Sequence, residues 1–569
     1  MLPRNRYLIN RAFLSFLCAT LLASMASSLA VTVDGVIVGR LLGARPLAAL
    51  GLVSPVAQIF NALGALVNTG GALLVSLCIG RRHADEAGAL FTTSVILSLA
   101  IGSLGILAAV FALPGLSGLL THDPALRPLV EEYLRIMLYS TPVYLLLPGL
   151  CVFIRTDSAA RLASMALVLG NLANLGLDIL LIRGFRMGLA GSSLATTLGY
   201  LLGIVVAALY FAPGRRRVLS LRLPDFRLTP RLIVAGAPIA LASLLMCARI
   251  YCTNAFVQTF LTSARMPLMA ACFNLLMIAS MVIAGISQSL QPLGGILRGL
   301  EDPRGLRMAV QNAWRLLLAC LVLLAVLMLI RPDACLAFFG LDAPPDAIRA
   351  LRLFTLSIPL YGANYLLMVT HQTMGRTRLA LLNSIADSLL VIAALFALAR
   401  WRPDALWAGF ALGESLVLLL VLLTALATRR RDPDPGASPL LRLPPERPDT
   451  ADFSTRGDLA DLTLAMTRVA DFLCGQHHPD ATSHVQHCCE ELLAAYAETA
   501  PSRSKYVDIL IHREPRRLVL CIVSAGAPLD LARQRQGTLN EILCRKMSDH
   551  IQYAYIANQN VTTFHFDLP

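Results

Sequence analysis

The chain has 569 residues, 56% of them hydrophobic, with a mean hydropathy of +0.66 and a formal net charge of +13. That much apolar surface over this length excludes an ordinary soluble domain and points to a polytopic membrane protein. The basic excess is almost wholly arginine, Lys505 and Lys546 being the only lysines; its placement in short loops between apolar runs is that of topology-setting charges rather than of a nucleic-acid surface.

Apolar windows long enough to cross a bilayer recur in order at about 11–38, 46–79, 91–113, 131–153, 161–182, 188–212, 232–260, 268–297, 313–331, 350–371, 379–399 and 405–427. The first is too long for a cleaved signal segment and reads as a membrane helix. The second and eighth are rich in Gly and Pro, so bends are expected there. The spacing predicts twelve transmembrane helices. Thirteen cysteines are scattered without a Cys-x-x-Cys pair, which reads as small buried hydrophobes rather than a disulfide framework. Counting arginines in alternate loops gives 22 on one side and 12 on the other. The richer side should be cytoplasmic, which places both termini inside the cell.

The span pattern is duplicated. Leu134, Arg135, Pro142, Tyr144, Arg161, Leu162 and Ala163 recur 217 positions on as Leu351, Arg352, Pro359, Tyr361, Arg378, Leu379 and Ala380. Nearer the front, Ala44–Arg45 recurs as Ala264–Arg265, 220 positions on. Six spans per copy is an even number, so the two lobes are parallel repeats, 1–212 and 232–428, joined by a cytoplasmic loop at 213–231.

Beyond the last span, 429–452 is Pro-rich with alternating charge and reads as a semi-rigid linker. Residues 453–569 then read as a small α/β two-layer sandwich. Amphipathic helices are expected at about 457–475 and 481–499, and strands in KYVDILIH and RRLVLCIVS. A short helix is expected in GTLNEILCRKMSD, then strands in IQYAYIA and VTTFHFDL. His477, His478, His484 and His487 with Cys488 and Cys489 form a local cluster, but no second ligand pair has standard spacing, so a helix face with buried cysteines is expected and no metal.

Within the first run, TVDGVIVGRLLG places Asp34 inside a transmembrane pattern, where a carboxylate costs roughly 2.5–3.5 kcal/mol and serves a function by default. Its repeat partner, 220 positions on, is the neutral Asn254. Asn171, Asn174 and Asp178 share the fifth span, the latter two on one helical face, and Thr196 in the sixth adds a hydroxyl. Oxygen ligands of these kinds suit a hard cation or a proton site. The position 217 beyond Asp178 is Leu395, so the coupling chemistry is expected in the first lobe alone. In the second lobe Arg249, Asp387 and Glu414 are intramembrane charges, read either as a mutually paired set or as a group that sets the charge preference for substrate.

The stretches DGVIVGRLLGARPLAALGLVSPV, NTGGALLVSLCIGRRHADEA, IRTDSAARLASMALVLGNLANLGLDILLI and MGLAGSSLATTLGY resemble the multidrug and toxic compound extrusion (MATE) transporters over roughly residues 10–428. GISQSLQPLGGILRG, with Gln288, resembles their Gln-Pro-containing eighth helix. The resemblance implies a V-shaped two-lobe fold and export of cationic or amphipathic solutes against H⁺ or Na⁺. It also implies a first-lobe cation site that includes the matching Asn174, Asp178 and Thr196. The tail resembles the ATP-binding domain of histidine kinases and anti-sigma-factor kinases. In it CCEELLAAYAE stands in place of the Glu-x-x-x-Asn helix and CIVSAGAPLDL in place of the Asp-x-Gly strand end. Glu490 and Gly526 match, whereas Ala494 replaces the magnesium-binding Asn and Ser524 the adenine-reading Asp, so two nucleotide ligands are missing.

The expectation is therefore a bacterial cytoplasmic-membrane antiporter, not an enzyme. Its partners are the lipid bilayer, a small organic solute and a coupling cation, with no resident cofactor and no nucleic acid. The tail is expected to regulate it or to bind a cytosolic protein. Two alternatives stand beside it: a flippase for lipid-linked precursors, and a membrane-tethered sensor signalling through the tail.

Overall fold

The computed structural model describes residues 4–121, 123–212, 218–261, 265–339, 341–431, 441, 449–455, 459–473, 483–491, 493, 506–514, 516–526, 546–556 and 559–568. Its contacts divide the chain into two units, one of residues 16–299 and 310–443, the other of residues 1–15, 300–309 and 444–569.

The larger unit is helical. In its first half the helices are α1 (Tyr7–Leu42), α2 (Ala44–Arg81), α3 (Ala84–Phe111), α4 (Leu113–Leu120), α5 (Arg127–Tyr139), α6 (Thr141–Thr156), α7 (Ala160–Ile179) and α8 (Gly188–Ala208). The second half repeats the order with α9 (Thr229–Phe256), α10 (Met266–Gly299), α11 (Pro303–Ile330), α12 (Pro332–Phe338), α13 (Pro345–Thr355), α14 (Ser357–Thr373), α15 (Thr377–Trp401) and α16 (Leu406–Arg431). Among the described residues eleven helices are long and apolar enough to cross a membrane, and the pair α5 and α6, bent by 51°, adds a twelfth as a broken span. Pro142 in the first turn of α6 supplies no backbone N–H, and its counterpart Pro359 opens α14 in the same way. The bends expected in the second and eighth spans do not interrupt them. α2 with Pro55 and α10 with Pro292 are each one continuous helix, because neighbouring helices can re-satisfy backbone groups freed by proline. Large apolar side chains such as Leu22, Val31, Leu104, Phe111, Val205 and Leu323 point outward, as a lipid-facing surface requires.

Helices α2 and α9 meet through glycine. A Cβ on Gly236 would run into the carbonyl oxygen of Leu66, and one on Gly70 into that of Leu232. Without a hydrophobic drive between helices in lipid, such backbone-to-backbone approach supplies the dispersion contact that holds the two halves together. Gly236→Ala should lower the stability of the detergent-solubilised protein by about 1–3 kcal/mol, read from its thermal midpoint.

The smaller unit contains a five-stranded antiparallel sheet of order β1-β2-β3-β5-β4, with β1 Thr450–Thr455, β2 Val507–Glu514, β3 Arg517–Ala525, β4 His550–Ile556 and β5 Gln559–Asp567. Strand period two puts Val507, Ile509 and Ile511, Leu518, Leu520 and Ile522, and Phe564 and Phe566 on one buried face. Helix α17 (Leu459–Leu473) covers that face with Ala465, Val469 and Leu473, and the helix at 483–491 adds Val485, Cys488 and Cys489. The cysteines are thus core residues. His477, His478 and most of GTLNEILCRKMSD lie outside the described residues. Strand β1 corrects the expected boundary at 452/453, since it begins at Thr450 inside the stretch read as linker. Its six residues carry little strand signal of their own; pairing with β2, Thr450 opposite His512 through Thr455 opposite Val507, makes them a strand.

Arg4 is a second departure, because the sequence counts it only among topology-setting loop charges. Its side chain is 2% exposed. Its Nη1 donates to Asp302 at 2.6 Å and its Nε to Asp508 at 2.9 Å, and Asp452 lies 3.4 Å from Nη1. The backbone N–H of Asn5 donates to Ser454 Oγ at 2.7 Å, and Gln559 Nε2 donates to the Leu8 carbonyl at 2.7 Å. Burial pushes the Asp452 carboxyl from its ordinary 3.8 up to about 7; Asp302 and Asp508 act in the same direction, Arg4 and Arg304 against it. A carboxyl whose folded pKa is raised contributes stability that is complete below the unfolded value and is lost as pH rises through the folded one. The thermal midpoint of this unit should therefore fall by roughly 5 °C or more between pH 5 and pH 8, and Asp452→Asn should flatten that slope.

Candidate functional site

Helix α1 continues two turns beyond Asp34, so this carboxyl is inside the helix and does not cap its end. Its Oδ1 accepts from Ser192 Oγ of α8 at 3.0 Å. Arg40, six residues further along the same helix, is exposed, and among the described residues it makes no ion pair with Asp34. Asp178 of α7 is fully buried beside Asp34 and Ser192, and among the described residues neither of its carboxyl oxygens has a hydrogen-bond partner of ordinary length and angle. One turn earlier Asn174 Nδ2 donates to Thr196 Oγ1 at 3.0 Å, and Asn171 Nδ2 donates to Ser27 Oγ of α1 at 3.4 Å. The turn directly after Asp178, Leu180–Gly184, is a π-helical turn, a distortion often found at functional sites. Asp34, Asn174, Asp178 and Thr196 thus form one cluster across α1, α7 and α8, and Asn171 stands at its edge. Two carboxyls this close in a dry setting are neutralised by a shared proton or by a cation between them. Orphaned oxygens on a fully buried acid fit either occupant.

The larger unit also encloses a cavity of about 440 Å³ whose walls come from α1, α2, α6, α7, α8, α9, α10 and α14. Hydroxyls and amides, among them Ser27, Thr69, Tyr200, Ser287 and Gln291, interrupt an otherwise apolar lining. Ser27 is also the residue to which Asn171 donates, so a single hydrogen bond separates the cavity wall from the edge of the acidic cluster.

A family model, MatE, matches residues 19–180 and 238–397, the two halves of this helical unit. The chain belongs to the MatE family. Among curated relatives, the multidrug export protein MepA of Staphylococcus saprophyticus is 23% identical over 65% of this chain and 84% of its own length. MepA of Staphylococcus aureus strain bovine RF122 is likewise 23% identical, over 74% and 94%. Among solved structures, a MOP superfamily transporter from Pyrococcus furiosus matches with a TM-score of 0.66 at 20% identity, covering 72% of this chain and 93% of that one. A MATE structure in a bent conformation matches with a TM-score of 0.67, also at 20% identity, with the same coverage.

In this MatE chain the second-lobe charges satisfy one another. Arg249 Nη1 donates to Glu414 Oε1 at 3.0 Å and to Asp387 Oδ2 at 3.3 Å, and its guanidinium sits 5.1 Å from the centre of the Tyr361 ring. Asn364 Nδ2 donates to Glu414 Oε2 at 2.8 Å. None of the three charges lines the cavity, which favours the paired reading over a role in substrate charge preference. Asn254 is half-buried on α9, five residues past Arg249. Gln288 of α10 does line the cavity and accepts from Arg155 Nη1 at 2.8 Å. In the tail Glu490 is exposed, Ser524 is buried in β3 opposite Val507 and Asn560, and Gly526 follows that strand at a φ of +143°; Ala494 lies outside the described residues.

Ser192, Arg155 and Asn364 escape a reading of the sequence. Serine is common in membrane helices, and Arg155 sits at a helix end, where arginine usually marks the cytoplasmic side. The available signal was composition: GSSLATT and NYLLMVTHQT concentrate hydroxyls and amides within apolar spans.

Proposed function

We propose that the chain exports organic solutes by secondary active transport, and that H⁺ or Na⁺ returning through the Asp34–Asn174–Asp178–Thr196 cluster supplies the drive. Membership of the MatE family carries the first part: the chain is a secondary transporter and not an enzyme. The observation that carries the second is Asp178, fully buried beside another carboxyl, with neither oxygen, among the described residues, in a hydrogen bond of ordinary length and angle. An acid so placed binds a cation or a proton strongly, and a solute entering the neighbouring cavity can compete with it through the Asn171–Ser27 link. The names of the MepA relatives, multidrug export proteins, support small organic solutes as cargo. A cavity of about 440 Å³ with one arginine in its wall suits such cargo better than a lipid-linked precursor, which calls for a large groove lined by several arginines. Both termini are read as cytoplasmic from the arginine bias, and the tail as a regulatory module of histidine-kinase-like ancestry without nucleotide. Magnesium-dependent ATP binding by the full chain would contradict that reading of the tail.

The test is efflux from proteoliposomes with a pH gradient or a Na⁺ gradient imposed alone. Movement of an amphipathic dye under one of the two supports the reading. Movement under neither gradient contradicts it.

A further inference from the structure

Among the described residues the cavity wall contains one charge, and that charge has no counter-ion. Arg155 is the penultimate residue of α6 and is 3% exposed. Among the described residues it is the only charged side chain lining the cavity, and it makes no salt bridge. Its Nη1 donates to Gln288 Oε1 at 2.8 Å, whereas its Nε, fully enclosed, has no partner. Asp157, the nearest acid along the chain, is engaged elsewhere: it accepts from Tyr210 Oη and from the backbone N–H groups of Val218 and Leu219 at 2.8 and 3.1 Å. A second donor lines the same cavity. Ser287, adjacent to Gln288 on α10 and 2% exposed, has a hydroxyl without a partner. Gln288, which also lines the cavity, uses its carbonyl oxygen on Arg155, and its amide Nε2 is a further donor on that residue.

Arg249 shows the contrast within one molecule. There the buried guanidinium is met by two carboxylates and an aromatic face. Arg155 is equally buried and is met by one neutral amide oxygen. A buried cation without a partner is costly, and the planar guanidinium fork matches a carboxylate in shape and charge. Around it the lining is apolar, with Ala65, Leu73, Val152, Leu167 and Ile239 able to hold a hydrophobic body.

We propose that Arg155, Gln288 and Ser287 form an acid-binding subsite of the central cavity, so that the transported solute is an amphipathic organic anion or a zwitterion presenting its carboxylate there. The inference rests on the transport reading for the solute's fate, but the subsite itself is a statement about binding. It departs from a preference for cations: a solute with positive charge alone meets an unscreened arginine and no acid in this wall.

The test uses three probes with one fluorophore: dansylglycine, dansylamide and dansylcadaverine, which are anionic, neutral and cationic at pH 7. Each is titrated into the purified full-length chain in phosphatidylcholine nanodiscs, and the signal of empty nanodiscs is subtracted. Wild type should bind dansylglycine at least about 10-fold more tightly than dansylcadaverine. Arg155→Gln should weaken dansylglycine by about 10-fold to 100-fold, the worth of a charge-assisted hydrogen bond, with dansylamide unchanged. Arg155→Lys should keep part of the preference, as a point charge without the fork. Equal or tighter binding of the cation by wild type overturns the proposal, as does a preference for dansylglycine that survives Arg155→Gln. If that variant does not fold, the wild-type comparison of the three probes decides alone. A failure of the transport reading looks different: the anion preference stands in the binding assay while no probe moves across proteoliposomes under either gradient.

Discussion

Replacing Asp34 by asparagine should stop gradient-driven export while leaving the fold intact. Asparagine keeps the size of the side chain and still accepts from Ser192, so the α1–α8 contact survives. What disappears is one of two neighbouring carboxyls, and with it the ability of the cluster to trade a cation for a proton or for nothing as the protein cycles. Asp178→Asn should act in the same direction and at least as strongly, because Asp178 is the more deeply buried acid. The initial rate of dye efflux under an imposed gradient should fall by about 100-fold in either variant, equivalent to roughly 2.7 kcal/mol of lost coupling. The helical circular dichroism and elution volume of both should match wild type. Undiminished efflux by Asp34→Asn would remove this acid from the mechanism.

The second large effect is on stability. Glu414→Gln removes the nearer of the two carboxylates that hold Arg249, whose side chain is 1% exposed. The remaining partner, Asp387, is 3.3 Å away and partly open at 19% exposure, so it neutralises the guanidinium less completely. Breaking a buried ion pair on one side costs about 3–5 kcal/mol, because the surviving charge remains enclosed. Glu414→Gln should have a lower thermal midpoint than the triple variant Arg249→Met/Asp387→Leu/Glu414→Leu, which removes the charge together with both of its partners. The reverse order would mean that the pair is not a stabilising unit. Neither variant touches the first-lobe cluster, so gradient coupling per folded molecule should persist in both.

The span pattern, the duplication and the family were legible because each is written in many residues at once. Bilayer length, the 217-residue spacing and the paired prolines Pro142 and Pro359 all point one way, and local errors average out. The first-lobe cluster was legible because Asp34 and Asp178 are costly in lipid and therefore conspicuous. Their hydroxyl partner Ser192 was not, because serine costs little in a membrane helix and carries no signal until two helices are packed together. Arg155 misled for a different reason. An arginine at the end of an apolar run has one common explanation, topology, and only the enclosure of its side chain beside Gln288 separates it from the loop arginines around it. Arg4 misled in the same way, since its acids Asp302, Asp452 and Asp508 are hundreds of residues distant in sequence. Strand β1 was hidden because a six-residue strand at the edge of a sheet owes its form to its neighbour.

The proposed transport cycle requires that the solute in the cavity and the cation at Asp34 and Asp178 compete. Solute-triggered ion release from the purified protein measures that competition directly. Dansylglycine is added to the full-length chain in weakly buffered solution containing a pH-sensitive dye, and in parallel to protein equilibrated with radioactive Na⁺. Wild type should release about one cation, H⁺ or Na⁺, per solute bound, and Asp178→Asn should release none. Solute binding that releases neither ion from wild type, or release that is undiminished in Asp178→Asn, would contradict it.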